Sequence, residues 1–283
     1  MIWIVSNDTR FQDNAIKILE QQHDGIEIVG EATGEEIIKV DKDYDILLVV
    51  GAKKSGISSV TKDAIRLSLP KEKLLGDWIV CIPGFTVDKY RQLQQSRLSV
   101  FSRNCFGGLL QHTLGLPFYS PLGNIGLSGE NFIRFLSAPR DYLKEIPTFK
   151  KAKLNMQTGQ KHNYVDLGDI WLSTMHYETF EEFIDMWDRR KTRINWDNIF
   201  VEMFLTKEEK NLLEQFDALP YAKKVCFVPF KSNFDSAWYI DPKIDKTATR
   251  FDLSLNRFAR GSLFYYDVFD MLLYGKKTPL IDM

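Results

Sequence analysis

A cysteine within a glycine-rich turn is the side chain best suited to nucleophilic chemistry in this sequence. Cys105 follows Asn104 and precedes Phe106, Gly107 and Gly108. Its thiol could attack an electrophilic carbon while the backbone amides of Phe106 and Gly107 receive the developing negative charge. Asn104, Gly107 and Gly108 are therefore candidate substrate-binding residues. The same stretch also fits a tight structural connection, because glycine is typical of sharp turns and free cysteine is among the most buried residue types.

A histidine further along the chain is the candidate general base. His176 follows a predicted strand at residues 170–175, and Asp169 precedes that strand. An imidazole with an ordinary pKa of about 6.5 can accept a proton near neutral pH, and a nearby carboxylate can orient it. We therefore expect Cys105, Asp169 and His176 to form one catalytic group. A structural histidine is the alternative, since the sequence does not fix where the imidazole lies.

Arginines near residue 190 form a candidate anion site. Arg190 and Arg193 lie three positions apart at the end of a predicted helix, residues 180–193, which would place them on one face. The guanidinium group suits bidentate recognition of phosphate, and Trp187 could stack against a sugar ring. Ser120 is a further candidate substrate-binding residue. The alternative is a solvated helix face, because acidic residues three or four positions away can pair with these arginines.

Nothing in the sequence identifies a cofactor. The four histidines, at positions 23, 112, 162 and 176, show no HxxxH or HxH spacing, and we predict no metal site. Residues 6–9, Ser-Asn-Asp-Thr, stand where a dinucleotide-binding loop would need the glycines of GxGxxG. We therefore expect no ordinary NAD binding at this loop.

The composition argues against several classes of partner. The chain has 283 residues, with 37 basic and 38 acidic side chains and a formal net charge of -1. It lacks the overall basic charge typical of nucleic-acid-binding proteins, so nucleic acid is not a predicted partner. No apolar run is long enough to predict a membrane span. Three widely spaced cysteines argue against a disulfide framework and favour a reducing cytoplasm.

The first third of the chain alternates strand and helix patterns. Apolar runs at residues 2–5, 26–29, 44–50 and 78–82 predict strands, and residues 60–69 predict a helix between the last two. Such alternation favours a small parallel sheet. We therefore predict an α/β fold in which residues 1–95 form a Rossmann-like parallel-sheet domain without the GxGxxG loop. This unit resembles the N-terminal domains of some sugar-modifying and polysaccharide-biosynthesis proteins.

The composition changes after residue 95. Eighteen of the twenty phenylalanines lie beyond this point. We therefore predict that residues 96–283 form a second, larger α/β domain with an aromatic-rich core. Its patterns predict strands at 199–204 and 224–228 and a further helix at 264–273 that Gly275 closes.

Several segments of this second domain resemble a bacterial family of unknown function that is encoded among capsule, lipopolysaccharide and exopolysaccharide genes. The resemblance spans roughly residues 96–230. Its motifs are Asn-Cys-Phe-Gly-Gly at 104–108, Leu-Gly-Leu at 114–116, Ser-Pro at 120–121, Gly-Asp-Ile at 168–170, His-Tyr at 176–177 and WDRRKTRINWDN at 187–198. The resemblance implies a role in the synthesis or decoration of bacterial polysaccharide.

These observations together predict a cytoplasmic transferase of exopolysaccharide biosynthesis. Its donor would be a phosphorylated or nucleotide-linked sugar, or an acyl compound. Arg190 and Arg193 would hold the phosphate of the donor, and His176 would take the proton of the acceptor. The alternative is a non-catalytic accessory module that binds a nucleotide-sugar or a partner enzyme. The cofactor and the oligomeric state stay open.

Overall fold

A computed structural model describes residues 2–6, 26–30, 46–50, 64–67, 82, 84–154, 161–243, 255 and 265–280. Eleven strands lie in these ranges. They are β1 (Ile2–Ser6), β2 (Ile26–Gly30), β3 (Ile46–Val50), β4 (Ala64–Leu67), β5 (Ser99–Ser102), β6 (Thr148–Leu154), β7 (Lys161–Leu167), β8 (Ile170–Ser173), β9 (Ile199–Phe204), β10 (Lys223–Val228) and β11 (Ala237–Tyr239).

Seven α-helices accompany these strands within the same ranges. They are α1 (Val87–Gln95), α2 (Phe106–Thr113), α3 (Gly129–Ser137), α4 (Pro139–Tyr142), α5 (Phe180–Lys191), α6 (Leu213–Asp217) and α7 (Val268–Tyr274), and a 3₁₀ turn, Lys210–Leu212, leads into α6. None of these helices has the length and apolar character that a membrane span requires.

The first four strands form one parallel sheet in the order β2-β1-β3-β4. The predicted strands at 2–5, 26–29 and 44–50 correspond to β1, β2 and β3. The helix predicted at 60–69 is wrong for residues 64–67, because β4 pairs in register with β3, and this pairing outweighs the local helical pattern. Of the strand predicted at 78–82, only Ile82 is described, and it is not in a strand. The Rossmann-like classification stays a prediction.

A second parallel sheet, which we call the central sheet, has the order β11-β10-β9-β5. Strands such as Ile199–Phe204 are apolar on both sides because helices cover both faces. Phe200 faces one hydrophobic cluster with α1, α2 and α7, whereas Val201 faces a second cluster with α3, α5 and α6. The predicted mixed α/β class is confirmed for this part of the chain.

Aromatic side chains dominate both clusters. Tyr90 and Phe269 meet edge to face across α1 and α7, and Phe183 contacts Trp187 within α5. Helix α1 precedes residue 96, yet its Tyr90 packs in the same cluster as Val100 of β5. The division of the chain at 95/96 stays a prediction.

The third sheet is antiparallel and has the order β6-β7-β8. The turn between β7 and β8 depends on Gly168, whose φ of 61° lies in the left-handed region. An isolated antiparallel bridge joins Gly126 to Ser173 at the end of β8, with backbone hydrogen bonds of 2.9 and 2.8 Å. This bridge fixes the end of β8 against the loop that precedes α3.

Helix α5 begins where the sequence predicts it and ends earlier. Thr179 Oγ1 accepts a hydrogen bond from the amide of Glu182 at 3.1 Å, which caps the first turn. The helix ends at Lys191, two residues before the predicted end. Helix α7 ends at Gly275, as predicted, with the left-handed conformation typical of a glycine cap.

Candidate functional site

A cysteine and a histidine from separate elements meet at the carboxyl edge of the central sheet. Cys105 lies in the short turn between β5 and α2, and His176 lies three residues after the last residue of β8. The Sγ atom of Cys105 is 3.0 Å from Nε2 of His176. The carboxyl edge of a parallel sheet is where α/β proteins usually bind their ligands. The distance of 3.0 Å shows the expected proximity of Cys105 and His176.

Two polar side chains hold the Cys105 turn and occupy its backbone amides. Asn104 Oδ1 accepts a hydrogen bond from the Phe106 amide at 2.8 Å, and Ser102 Oγ accepts one from the Gly107 amide at 3.0 Å. The Ser102 hydroxyl donates to the carbonyl of Asn104 at 2.8 Å. The prediction that the Phe106 and Gly107 amides form an oxyanion site is wrong, because both amides already have partners.

The two glycines of α2 serve close packing. A Cβ atom on Gly107 would lie 2.6 Å from Ser102 Oγ, and one on Gly108 would lie 2.2 Å from Oδ1 of Asn124. Both glycines are buried, so the predicted substrate-binding role for them is wrong. Ser120 is also fully buried, and its hydroxyl accepts a hydrogen bond from the amide of Leu122 at 3.1 Å. It stabilises a turn and is not part of the site surface.

The imidazole of His176 favours its neutral form. Partial burial lowers the pKa of His176, and the neighbouring His162 on β7 lowers it further. A neutral imidazole can accept the proton of the Cys105 thiol. The distance between Sγ and Nε2 and the neutral form of the imidazole thus fit a nucleophile with its base.

Asp169 lies away from this pair and has other partners. Its carboxylate accepts a hydrogen bond from Tyr142 at 2.7 Å and pairs with Arg134 at 3.2 Å. The hydrogen bond from Tyr142 lowers the pKa of Asp169. The prediction that Asp169 orients His176 is wrong, because the extended strand β8 separates them at about 3.3 Å per residue.

Tyr177 connects Arg190 to the thiol–imidazole pair, because it follows His176 in the sequence and shares a hydrogen-bond acceptor with Arg190. The Nη1 atom of Arg190 and the hydroxyl of Tyr177 both donate to the carbonyl of Gly123, at 3.3 and 3.5 Å. The guanidinium also covers the ring of Phe118 at 4.6 Å. Burial raises the pKa of Tyr177, Arg190 opposes this rise, and Cys105 adds to it. Arg190 is half-buried, and in the described ranges no carboxylate lies within 4.0 Å of it.

Two other predicted site residues differ in their exposure. Arg193 is exposed and follows the end of α5, so it does not share a helical face with Arg190. Trp187 is fully buried in the core and contacts Phe183 with ring centroids 5.7 Å apart. Trp187 cannot stack against a sugar, so its predicted binding role is wrong, whereas a binding role for Arg193 stays a prediction.

Three charged residues near the site were not predicted. Arg103 forms a bidentate ion pair with Glu209 at the carboxyl edge of the central sheet. Glu202 on β9 is completely buried, and neither of its carboxylate oxygens has a hydrogen-bond partner in the described part of the chain. Burial raises the pKa of Glu202 to about 8. A glutamate inside the apolar strand Ile199–Phe204 is a signal that sequence reasoning could have used.

The described ranges contain no group of three histidine, cysteine, aspartate or glutamate side chains that could hold a metal ion.

The described residues thus define a mixed α/β protein with a thiol–imidazole pair at the carboxyl edge of a parallel sheet. Residues 80–274 match the family described as Domain of unknown function (DUF1919). The chain belongs to this family. It is also similar to a Haemophilus influenzae protein described as uncharacterized, with 32% identity over 188 residues, which cover 64% of this chain and 84% of the relative.

Proposed function

We propose that this protein is a transferase that uses Cys105 as its nucleophile and His176 as its base. The observation that carries the proposal is the distance of 3.0 Å between Sγ and Nε2. The position of Cys105 at a strand-to-helix turn supports it, since this turn holds the thiol at the carboxyl edge of the central sheet.

The pair favours an acyl group as the group transferred. His176 takes the thiol proton, and the thiolate attacks the carbonyl carbon of an acyl donor. The leaving group departs with the proton from the imidazolium, which leaves a thioester on Cys105. An acceptor hydroxyl then loses its proton to His176 and attacks the thioester. The thiolate leaves, regains a proton, and the cycle closes with the acyl group on the acceptor.

Arg190 supports an anionic donor within this proposal. Its half-buried guanidinium has no carboxylate partner in the described ranges, and a desolvated charge favours a ligand of opposite sign. A phosphorylated or nucleotide-linked donor in the cytoplasm would satisfy it. The sequence resemblance supports exopolysaccharide synthesis as the setting. The strand order β2-β1-β3-β4 supports a Rossmann-like first domain.

One observation favours the alternative of a non-catalytic accessory module. Among the described residues, no carboxylate is hydrogen-bonded to His176, and Asp169 pairs instead with Arg134 and Tyr142. The amides of Phe106 and Gly107 are also occupied. A pair without an orienting group or amide donors would be a weak catalyst.

Acylation by p-nitrophenyl acetate, a general acyl donor, separates the two functions. We expect a burst of p-nitrophenol and one acetyl group on Cys105, located by peptide mass mapping. His176→Ala should slow the burst about 100-fold or more, because general base catalysis is lost. Cys105→Ala should remove the labelled peptide.

His112→Ala is the matched control, because His112 is an exposed histidine on the helix that follows Cys105. It should leave the burst unchanged. If Cys105 is acetylated equally fast with and without His176, the thiol is not activated and the accessory module replaces the transferase.

A further inference from the structure

A cleft of about 620 Å³ opens at the amino edge of the central sheet. Ile199 and Lys223, the first residues of β9 and β10, line it. Cys105 follows the carboxyl end of β5, and the strands are parallel, so the cleft lies at the opposite edge from the thiol–imidazole pair. A volume of this size lies in the range of about 300–1,000 Å³ that small-ligand sites occupy.

Two cationic side chains line this amino-edge cleft. Lys223 Nζ is half-buried and donates to the carbonyl of Leu272 at 3.2 Å and to Oδ1 of Asn198, both neutral oxygens. Burial lowers the pKa of Lys223. Across the described ranges, no carboxylate lies within 4.0 Å of Lys223 or of Arg140. An ammonium has three donors, so one is left for a ligand.

Arg140 is already oriented. Its guanidinium lies 3.9 Å from the ring centroid of Trp196, which also lines the cleft. A guanidinium that is stacked on an aromatic ring loses less freedom when it binds an anion than a free side chain does. This arrangement favours recognition of a ligand by Arg140.

The rest of the wall is largely apolar. Ile199, Pro220 and the ring of Tyr221 line the cleft. Of the two carboxylates in the lining, Asp141 is paired with Lys144 at 2.7 Å, and Asp197 is exposed. The combination suits a ligand with one anionic group and an apolar body.

We propose that the amino-edge cleft is a second binding site, which takes a small organic anion. Arg140 and Lys223 bind its anionic group, and Ile199, Pro220 and Tyr221 contact its apolar part. This site is independent of the proposed acyl transfer at Cys105.

The test is a fluorescence titration of the full chain with 1-anilinonaphthalene-8-sulfonate, an aromatic sulfonate. We expect saturable binding at one site, weakened about 10-fold or more by Arg140→Gln, since a charge-assisted contact is lost. Lys223→Gln should weaken it similarly, and a thermal melt shows whether that variant is folded. Arg140 is exposed, so Arg140→Gln keeps the test decisive if the lysine variant fails to fold.

Two control variants and one control probe complete the design. Lys207→Gln removes an exposed charge that does not line the cleft, and Cys105→Ala changes the opposite edge. Both should bind the sulfonate as the wild type does. The uncharged analogue N-phenyl-1-naphthylamine should bind more weakly and should not respond to Arg140→Gln.

Competition identifies the anionic group. Displacement of the probe by inorganic phosphate but not by benzoate indicates a phosphate ligand, and the reverse indicates a carboxylate. Equal affinity of wild type and Arg140→Gln for the sulfonate, or displacement by neither anion, overturns the proposal.

Discussion

Arg103 and Glu209 form a bidentate ion pair, with Nη2 2.5 Å from Oε1 and Nη1 2.9 Å from Oε2. The guanidinium also donates to the carbonyl of Leu127 at 3.3 Å and to that of Phe204, the last residue of β9, at 2.7 Å. Arg103 is separated from Cys105 by one residue. The ion pair therefore anchors the turn that carries the thiol to the end of the neighbouring strand.

Glu209→Gln should lower the free energy of unfolding by about 1–3 kcal/mol, because it leaves the largely buried guanidinium without a counter-charge. Urea denaturation measures this change. Lys144→Gln is the matched control, since the Lys144–Asp141 pair is exposed and contributes at most about 1 kcal/mol. Equal effects of the two substitutions would contradict the anchoring role of Arg103.

Glu202 should make the protein less stable as the pH rises. Its pKa is about 8 in the folded chain, against an ordinary value of 4.5. Between these values the folded carboxyl is protonated and the unfolded one is ionised, so unfolding releases a proton. The free energy of unfolding then falls by up to about 1.4 kcal/mol per pH unit, and the stabilisation is complete only below pH 4.5.

Glu202→Gln removes this titratable group. Urea denaturation at pH 5, 7 and 8.5 measures how the free energy of unfolding of the variant differs from that of the wild type, by up to about 1.4 kcal/mol per pH unit. The variant should gain stability relative to wild type as the pH rises. Glu214→Gln, at an exposed position of α6, should run parallel to wild type. Parallel curves for Glu202→Gln and wild type would show that Glu202 does not titrate in this range.

The imidazole of His176 should titrate below its ordinary pKa of 6.5, because burial and His162 both disfavour its charged form. Proton NMR of the imidazole ring measures this directly. His162→Gln should move the pKa upward by removing one of the two causes, yet leave it below 6.5 since burial persists. His112→Gln should have no effect. A wild-type value at or above 6.5 would disprove the assignment.

Gly107→Ala should destabilise the protein by about 1–3 kcal/mol, because the added methyl would lie 2.6 Å from Ser102 Oγ and 2.8 Å from Val100 Cγ1. Gly126→Ala is the control, since its nearest neighbour, Ser173 Cβ, would be 3.5 Å away. Thermal denaturation compares the two, and iodoacetamide labelling of Cys105 reports whether the turn has moved. Equal melting temperatures of the two variants would mean that α2 has room to shift.

Periodic patterns predicted the regular elements well where they were long. The strand at 199–204 and the start of α5 lie where the sequence patterns predict them. The helical prediction failed at residues 64–67, because an apolar pattern this short fits either periodicity and pairing with β3 decided for a strand.

The site was predicted only in part, because the spacing of residues in the sequence does not determine where their side chains lie in the fold. Cys105 and His176 both follow strands, and their strand ends meet. Asp169 precedes β8 and His176 follows it, so the extended strand holds the two side chains apart. Trp187 belongs to the apolar stripe of α5, and burial of that stripe excluded the stacking role.

The chain leaves the central sheet after Ser102 and returns at Ile199, and β5 and β9 are hydrogen-bonded neighbours. Cys105 and His176 both lie in the loop that this pairing closes. The conformational entropy of closing so long a loop is thus lost when the sheet forms, not when the thiol meets the imidazole. If β5 separated from β9, Cys105 and His176 would both regain conformational freedom and would no longer be held together. The reactivity of the thiol therefore reports whether β5 and β9 are paired, although Cys105 belongs to neither strand.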